Sequence, residues 1–106
     1  MPSSDIQSLQ TPPVEPGYER VVANDHAFLA DCQASLSILK PLKPARVGPF
    51  HLTYSEPWGL ICRADFTFGE TQLDGLVNRF IGWRTPSGAM GSMLAIGQNV
   101  PPLDKR

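Results

Sequence analysis

Histidine, cysteine and clustered charge are all scarce in this chain, and each scarcity removes a class of chemistry. There are two histidines, His26 and His51, and two cysteines, Cys32 and Cys62. A zinc-type centre needs three or four closely spaced ligands, so no metal is expected, and no cofactor motif is present. The serines lie in loops without a nucleophile elbow. The glycine-rich stretch Thr85-Pro86-Ser87-Gly88-Ala89-Met90-Gly91 lacks the Lys-Ser/Thr pair and the following helix of a phosphate-binding loop. The nine Lys and Arg are dispersed, with Lys40, Lys43 and Arg46 the nearest approach to a cluster. Phosphate backbones are held by dense basic patches, so no nucleic-acid partner is expected.

Long apolar runs are absent as well. A bilayer span needs about 20 consecutive apolar residues, and nothing here approaches that. Residues 1–10 contain no apolar leader core, so the sequence reads as a cytoplasmic protein with no membrane contact. In a reducing compartment Cys32 and Cys62 are better read as buried free thiols, although a helix and a strand can be bridged. Charged residues make up 18% of the chain and the net charge is −1. Weak mutual repulsion of that kind favours association between copies or with a partner.

What is present is a single 106-residue domain with a clear change of period. Residues 1–20 hold Pro2, Pro12, Pro13 and Pro16 among Ser, Gln and Thr, and read as a disordered or loosely attached arm. Asn24 is placed to cap a helix over 25–39, with Asp25 favourable in its first turn. Phe28, Cys32, Leu36 and Leu39 form its apolar stripe, with Leu29 beside them, and Pro41 ends it. His26 is expected to face solvent.

From Val47 onward the period becomes two. Phe50, Leu52 and Tyr54 alternate with His51, Thr53 and Ser55. Leu60, Cys62, Ala64, Phe66 and Phe68 alternate with Ile61, Arg63, Asp65 and Thr67. Glu56-Pro57-Trp58-Gly59 between them is a turn, so the two strands form a hairpin. Residues 69–82 are ambiguous, because Thr71 and Asp74 resemble a capping box while Phe80-Ile81-Gly82-Trp83 suits a strand. The preferred reading is a loop through Gly75 and a strand over 76–85, with a short helix as the alternative. Pro86-Ser87-Gly88 is a tight turn, Ala89 to Gly97 a final strand, and 100–106 a frayed tail. The domain proper is then 21–99.

The residues Leu36, Leu39, Lys40, Pro41, Phe50, Leu52, Ser55, Pro57, Trp58, Gly59 and Leu60 trace a short helix, a strand and a Pro-Trp-Gly-aliphatic turn. In this order they resemble the start of the cupin-type sensor region of AraC-family transcription regulators, over residues 28–63. The family's sheet goes on to carry a histidine, and none follows Arg63 here; no helix-turn-helix follows either. The resemblance implies a sensor-like fragment that recognises a small molecule or a partner, without the DNA-reading part.

The fold expected from all this is α+β: one N-terminal helix followed by an antiparallel meander of about four strands. Such a sheet leaves an edge open, and the final strand is the candidate edge. Trp83, Arg84, Met90 and Met93, with Trp58, are the candidate binding residues, since Trp, Arg and Met are enriched in interface cores. The leading functional reading is a non-enzymatic binding module, self-associating as a homodimer, that engages a protein partner or a small ligand. The alternative is a small metal-independent enzyme using His51, Arg63 and Asp65 on the outer face of the hairpin, where a histidine beside a carboxylate can act as an oriented base. The competing bland reading of those three residues is a solvated sheet face with cross-strand polar pairs.

Overall fold

The computed structural model describes residues 11–15, 20–21, 25–37, 41, 43–44, 46–68 and 75–103. The helix α1 spans His26–Ser35. The strands are β1 (Arg20–Val21), β2 (Arg46–Val47), β3 (His51–Ser55), β4 (Gly59–Thr67), β5 (Val77–Arg84) and β6 (Met90–Gln98). All pairings are antiparallel. The fold is α+β, with the meander β3-β4-β5-β6 lengthened by β1 beyond β3, so the order is β1-β3-β4-β5-β6. β2 pairs the far end of β4. It continues the edge on which β3 lies, with one extra residue inserted: three residues separate Val47 from His51, against two between their partners Phe66 and Arg63. Pro49, which has no N–H for a ladder, sits in that bulge.

The helix starts one residue later than the capping pattern suggested. Asp25 is the N-cap, its Oδ1 accepting from the Phe28 N–H at 3.0 Å. Asn24, the expected cap, lies outside the described residues, as do 38–40 at the far end of the expected helix. The α-helix stops at Ser35, whose hydroxyl bonds back to the Asp31 carbonyl at 2.9 Å, and one tighter turn follows. The expected strands match β3, β4, β5 and β6 to within a residue at each end. The strand reading of 76–85 is the one found over Val77–Arg84, while 69–74 lies outside the described residues.

The turn from β3 to β4 has a cis Glu56–Pro57 bond, and Gly59 has φ +87°. A side chain at Gly59 would run into the Arg84 carbonyl, so close strand approach as well as backbone conformation requires glycine.

Alternation along the strands divides the sheet into two faces. On the first, Cys62, Phe66 and Phe80 pack with Phe28 and Cys32 of α1, surrounded by Leu36, Phe50, Leu52, Leu60, Phe68 and Leu94. Phe50 meets Phe80 edge to face at 6.1 Å, as Phe66 meets Phe68 at 5.3 Å. Each fully buried aromatic contributes about 2–3 kcal/mol through removal of apolar surface from water. Cys32 and Cys62 are joined in a disulfide, which corrects the free-thiol expectation. Two cysteines on opposed, buried faces of helix and strand meet in the core, and pairing depends on that packing, not on their number.

Candidate functional site

The second face carries Ile61, Arg63 and Asp65 of β4, opposite Trp83, Ile81 and Arg79 of β5. His51 lies across from Arg63 and Thr53 from Ile61. The facing expected for His51, Arg63 and Asp65 is thus correct. The expectation that this face is solvated is not: Arg63 is 1% exposed and Arg79 0%. The reason lies at the two ends of the described chain. Pro12 is buried and Val14 packs on Trp58, Ile61, Ile81 and Trp83, while Leu103 is buried against the same side. Segment 11–15 of the expected loose arm and segment 101–103 of the expected frayed tail are therefore seated on the sheet; residues 1–10, 16–19 and 104–106 lie outside the described residues.

A buried guanidinium is costly to the extent that its donors go unmet. Arg79 Nε donates to Asp65 Oδ1 at 2.6 Å, and Nη2 to Asp65 Oδ2 at 3.3 Å. Its Nη1 donates to Glu15 Oε1 at 2.7 Å and to the Val14 carbonyl at 3.4 Å, while Nη2 also reaches the Pro101 carbonyl at 2.8 Å. Arg63 Nη1 donates to the same Glu15 Oε1 at 2.8 Å and to the same Val14 carbonyl at 3.4 Å. Asp65 Oδ2 accepts the Leu103 N–H at 2.8 Å. One polar knot therefore ties arm, sheet and tail together.

Beside the knot, Arg46, Gly48, Pro49, His51, Asp65, Thr67 and Leu103 line a cleft of about 120 Å³. His51 and Asp65 share this cleft, but Arg63 is turned to Glu15 and is not part of its wall. The three residues of the catalytic alternative are neighbours on one face without converging on one open cavity. Among the described residues, no group of three or more His, Cys, Asp or Glu side chains is placed to hold a metal ion.

The candidate binding residues are divided between the faces. Trp83 and Trp58 are 9% and 8% exposed and belong to the cluster with Ile61 and Ile81, against which Met93 is packed. Trp83 is covered from the next strand by Gly91, where any side chain would strike the indole. Arg84 and Met90 are register partners on the opposite face. Arg84 Nη2 pairs with Asp25 Oδ2 at 2.9 Å, and its guanidinium carbon stands 5.2 Å from the Phe28 ring centre. Met90 is 51% exposed and borders an open cleft of about 400 Å³ with Asp31, Ser35, Gly91 and Ser92. Sequence reasoning missed Glu15 and Arg79. Arg79 stood within the ambiguous stretch, and Glu15 within a segment whose composition signalled only disorder.

No family model matches this chain, nor does any curated protein or solved structure. No helix among the described residues is long and apolar enough to cross a membrane.

Proposed function

We propose that the chain is a non-enzymatic binding module that self-associates through the open edge of β6. The observation carrying this reading is β6 itself: nine residues, Met90–Gln98, terminal in the strand order and free of charge and proline along their length. Edge strands are commonly protected by charge, proline or brevity, and β6 has none of these. Met90 and Ile96 are each 51% exposed, giving the edge apolar side chains as well as backbone donors and acceptors. A second copy related by a two-fold axis would pair β6 with its equivalent antiparallel and close both edges at once. The resemblance of residues 28–63 to the opening of a cupin-type sensor region is consistent with binding in place of catalysis. The disulfide favours an oxidising environment over the cytoplasm.

Sedimentation equilibrium tests the self-association. The expected result is a concentration-dependent rise from 11.6 kDa toward twice that mass by high-micromolar protein. Ile96→Lys should restore the monomer, because a charge on an exposed edge opposes pairing without disturbing the core. A wild-type mass fixed at 11.6 kDa would refute the reading.

A second reading draws on the cleft shared by His51 and Asp65. At about 120 Å³ it accommodates a ligand of only a few heavy atoms, and it supplies a histidine, a carboxylate and Arg46 as polar partners.

A further inference from the structure

The second face of the sheet is covered by the protein's own arm, which meets it through Val14 and Glu15. Arg63 and Arg79 stand on adjacent strands and are essentially excluded from water. Both direct Nη1 at one carboxylate oxygen, Glu15 Oε1, at 2.8 and 2.7 Å, and both also donate to the carbonyl immediately before it, that of Val14. The Val14 side chain enters the apolar patch formed by Trp58, Ile61, Ile81 and Trp83. The elements of peptide recognition are thus all present: a carboxylate clamp, a main-chain carbonyl contact, and an aromatic-lined seat for the preceding apolar side chain. None of these contacts depends on the arm being covalently part of the chain. The Glu15 side chain is 27% exposed.

We propose that this groove is a binding site for an extended acidic segment of a partner protein, reading apolar residue then carboxylate, and that residues 11–15 are its built-in competitor. Charge complementarity sets the class of partner: two buried guanidinium groups converging on one oxygen select an anionic side chain and reject a neutral or basic one. A second copy of this chain is the weaker occupant. It would offer the identical Val-Glu pair, gain no contact, and lose the high effective concentration that the tethered arm enjoys. A partner segment with an additional acidic or aromatic residue flanking its Val-Glu pair has contacts to gain. The tethered arm then sets a threshold, so that only such segments displace it. This site is on the face away from Arg84 and Met90 and is independent of the β6 edge.

The test uses the full-length chain and the acetylated peptide Thr-Pro-Pro-Val-Glu, with Thr-Pro-Pro-Val-Gln as its control. The chain's two tryptophans, Trp58 and Trp83, both lie in the patch and report binding by fluorescence. The acidic peptide is expected to bind a Val14→Ser/Glu15→Gln chain at least tenfold more tightly than wild type, because the tethered competitor is weakened. The Gln peptide is expected to bind that variant at least tenfold more weakly than the acidic one. Absence of saturable binding to a variant that retains its cooperative unfolding transition overturns the proposal, as does equal affinity for variant and wild type. If the double variant does not fold, the single Glu15→Gln chain decides: saturable binding of the acidic peptide, read by tryptophan fluorescence, is expected, and its absence from the folded chain overturns the proposal. A dimer of the variant or wild type that the acidic peptide dissolves would reassign the groove to a second copy and overturn the partner reading.

Discussion

A guanidinium has five N–H donors in one plane, and Arg79 makes five hydrogen bonds with them: two to Asp65, one to Glu15, and one each to the carbonyls of Val14 and Pro101. That saturation is what makes its complete burial sustainable. Arg79→Met keeps much of the volume and removes all five bonds. It should destabilise the fold by about 3 kcal/mol, since breaking a buried pair strands the remaining charges. A denaturant midpoint shift worth less than about 1 kcal/mol would show that the knot contributes little. Arg79→Lys should recover less than half of the loss, because a single ammonium nitrogen cannot reach partners spread around the edges of the guanidinium plane. Phe66, 1% exposed on the other face, makes a contrasting case of apolar burial: Phe66→Ala should cost about 3–5 kcal/mol from lost transfer energy and the cavity left behind. At this scale the sequence was half legible. Period-two alternation put Arg63 and Asp65 on one face and Phe66 on the other, correctly. It could not show that the polar face is covered, because its cover comes from Glu15, separated by 64 residues from Arg79.

Among the elements, α1 shows how little helix is needed when covalent and ionic ties supplement packing. Only Phe28 and Cys32 of its ten residues are buried. Its start is held by Asp25, which caps the helix with one oxygen and receives Arg84 with the other, and its middle by the bond to Cys62. Closing a loop of this length, with 30 residues separating the cysteines, lowers the entropy of the unfolded chain enough to stabilise the fold by about 3–4 kcal/mol. Reduction, or Cys32→Ser, should therefore shift the denaturant midpoint down by an amount worth about 3–4 kcal/mol. The expected loss is greatest in amide protection of α1, with the meander keeping most of its own. Equal loss across helix and sheet would instead mean that the two unfold as one unit. The strands were readable because β3, β4, β5 and β6 combine alternation with strong turn residues: Pro57 with Gly59, and Pro86 with Gly88. The two-residue strands β1 and β2 have no pattern long enough to carry a period, and only the sheet's edge defines them.

For the molecule as a whole, the two faces of one sheet are closed by different means: a helix with an apolar core on one, and two short extended segments around a polar knot on the other. Because Glu15 and the Leu103 region act through the same pair, Arg79 and Asp65, their contributions should be coupled. A double-mutant cycle between Glu15→Gln and Leu103→Pro, which removes the N–H that Asp65 accepts, should give an interaction energy of at least about 0.5 kcal/mol, and strict additivity would show that arm and tail are held independently. This closure has a mechanical side. Residues 15 and 101 are both within reach of one guanidinium, so the chain is drawn into a ring fastened by a non-covalent clasp. A pull applied through positions 11 and 103 would load that clasp before it loaded any rung between strands. The first rupture under force should then be a small, early event that Arg79→Met removes, followed by the unzipping of the sheet.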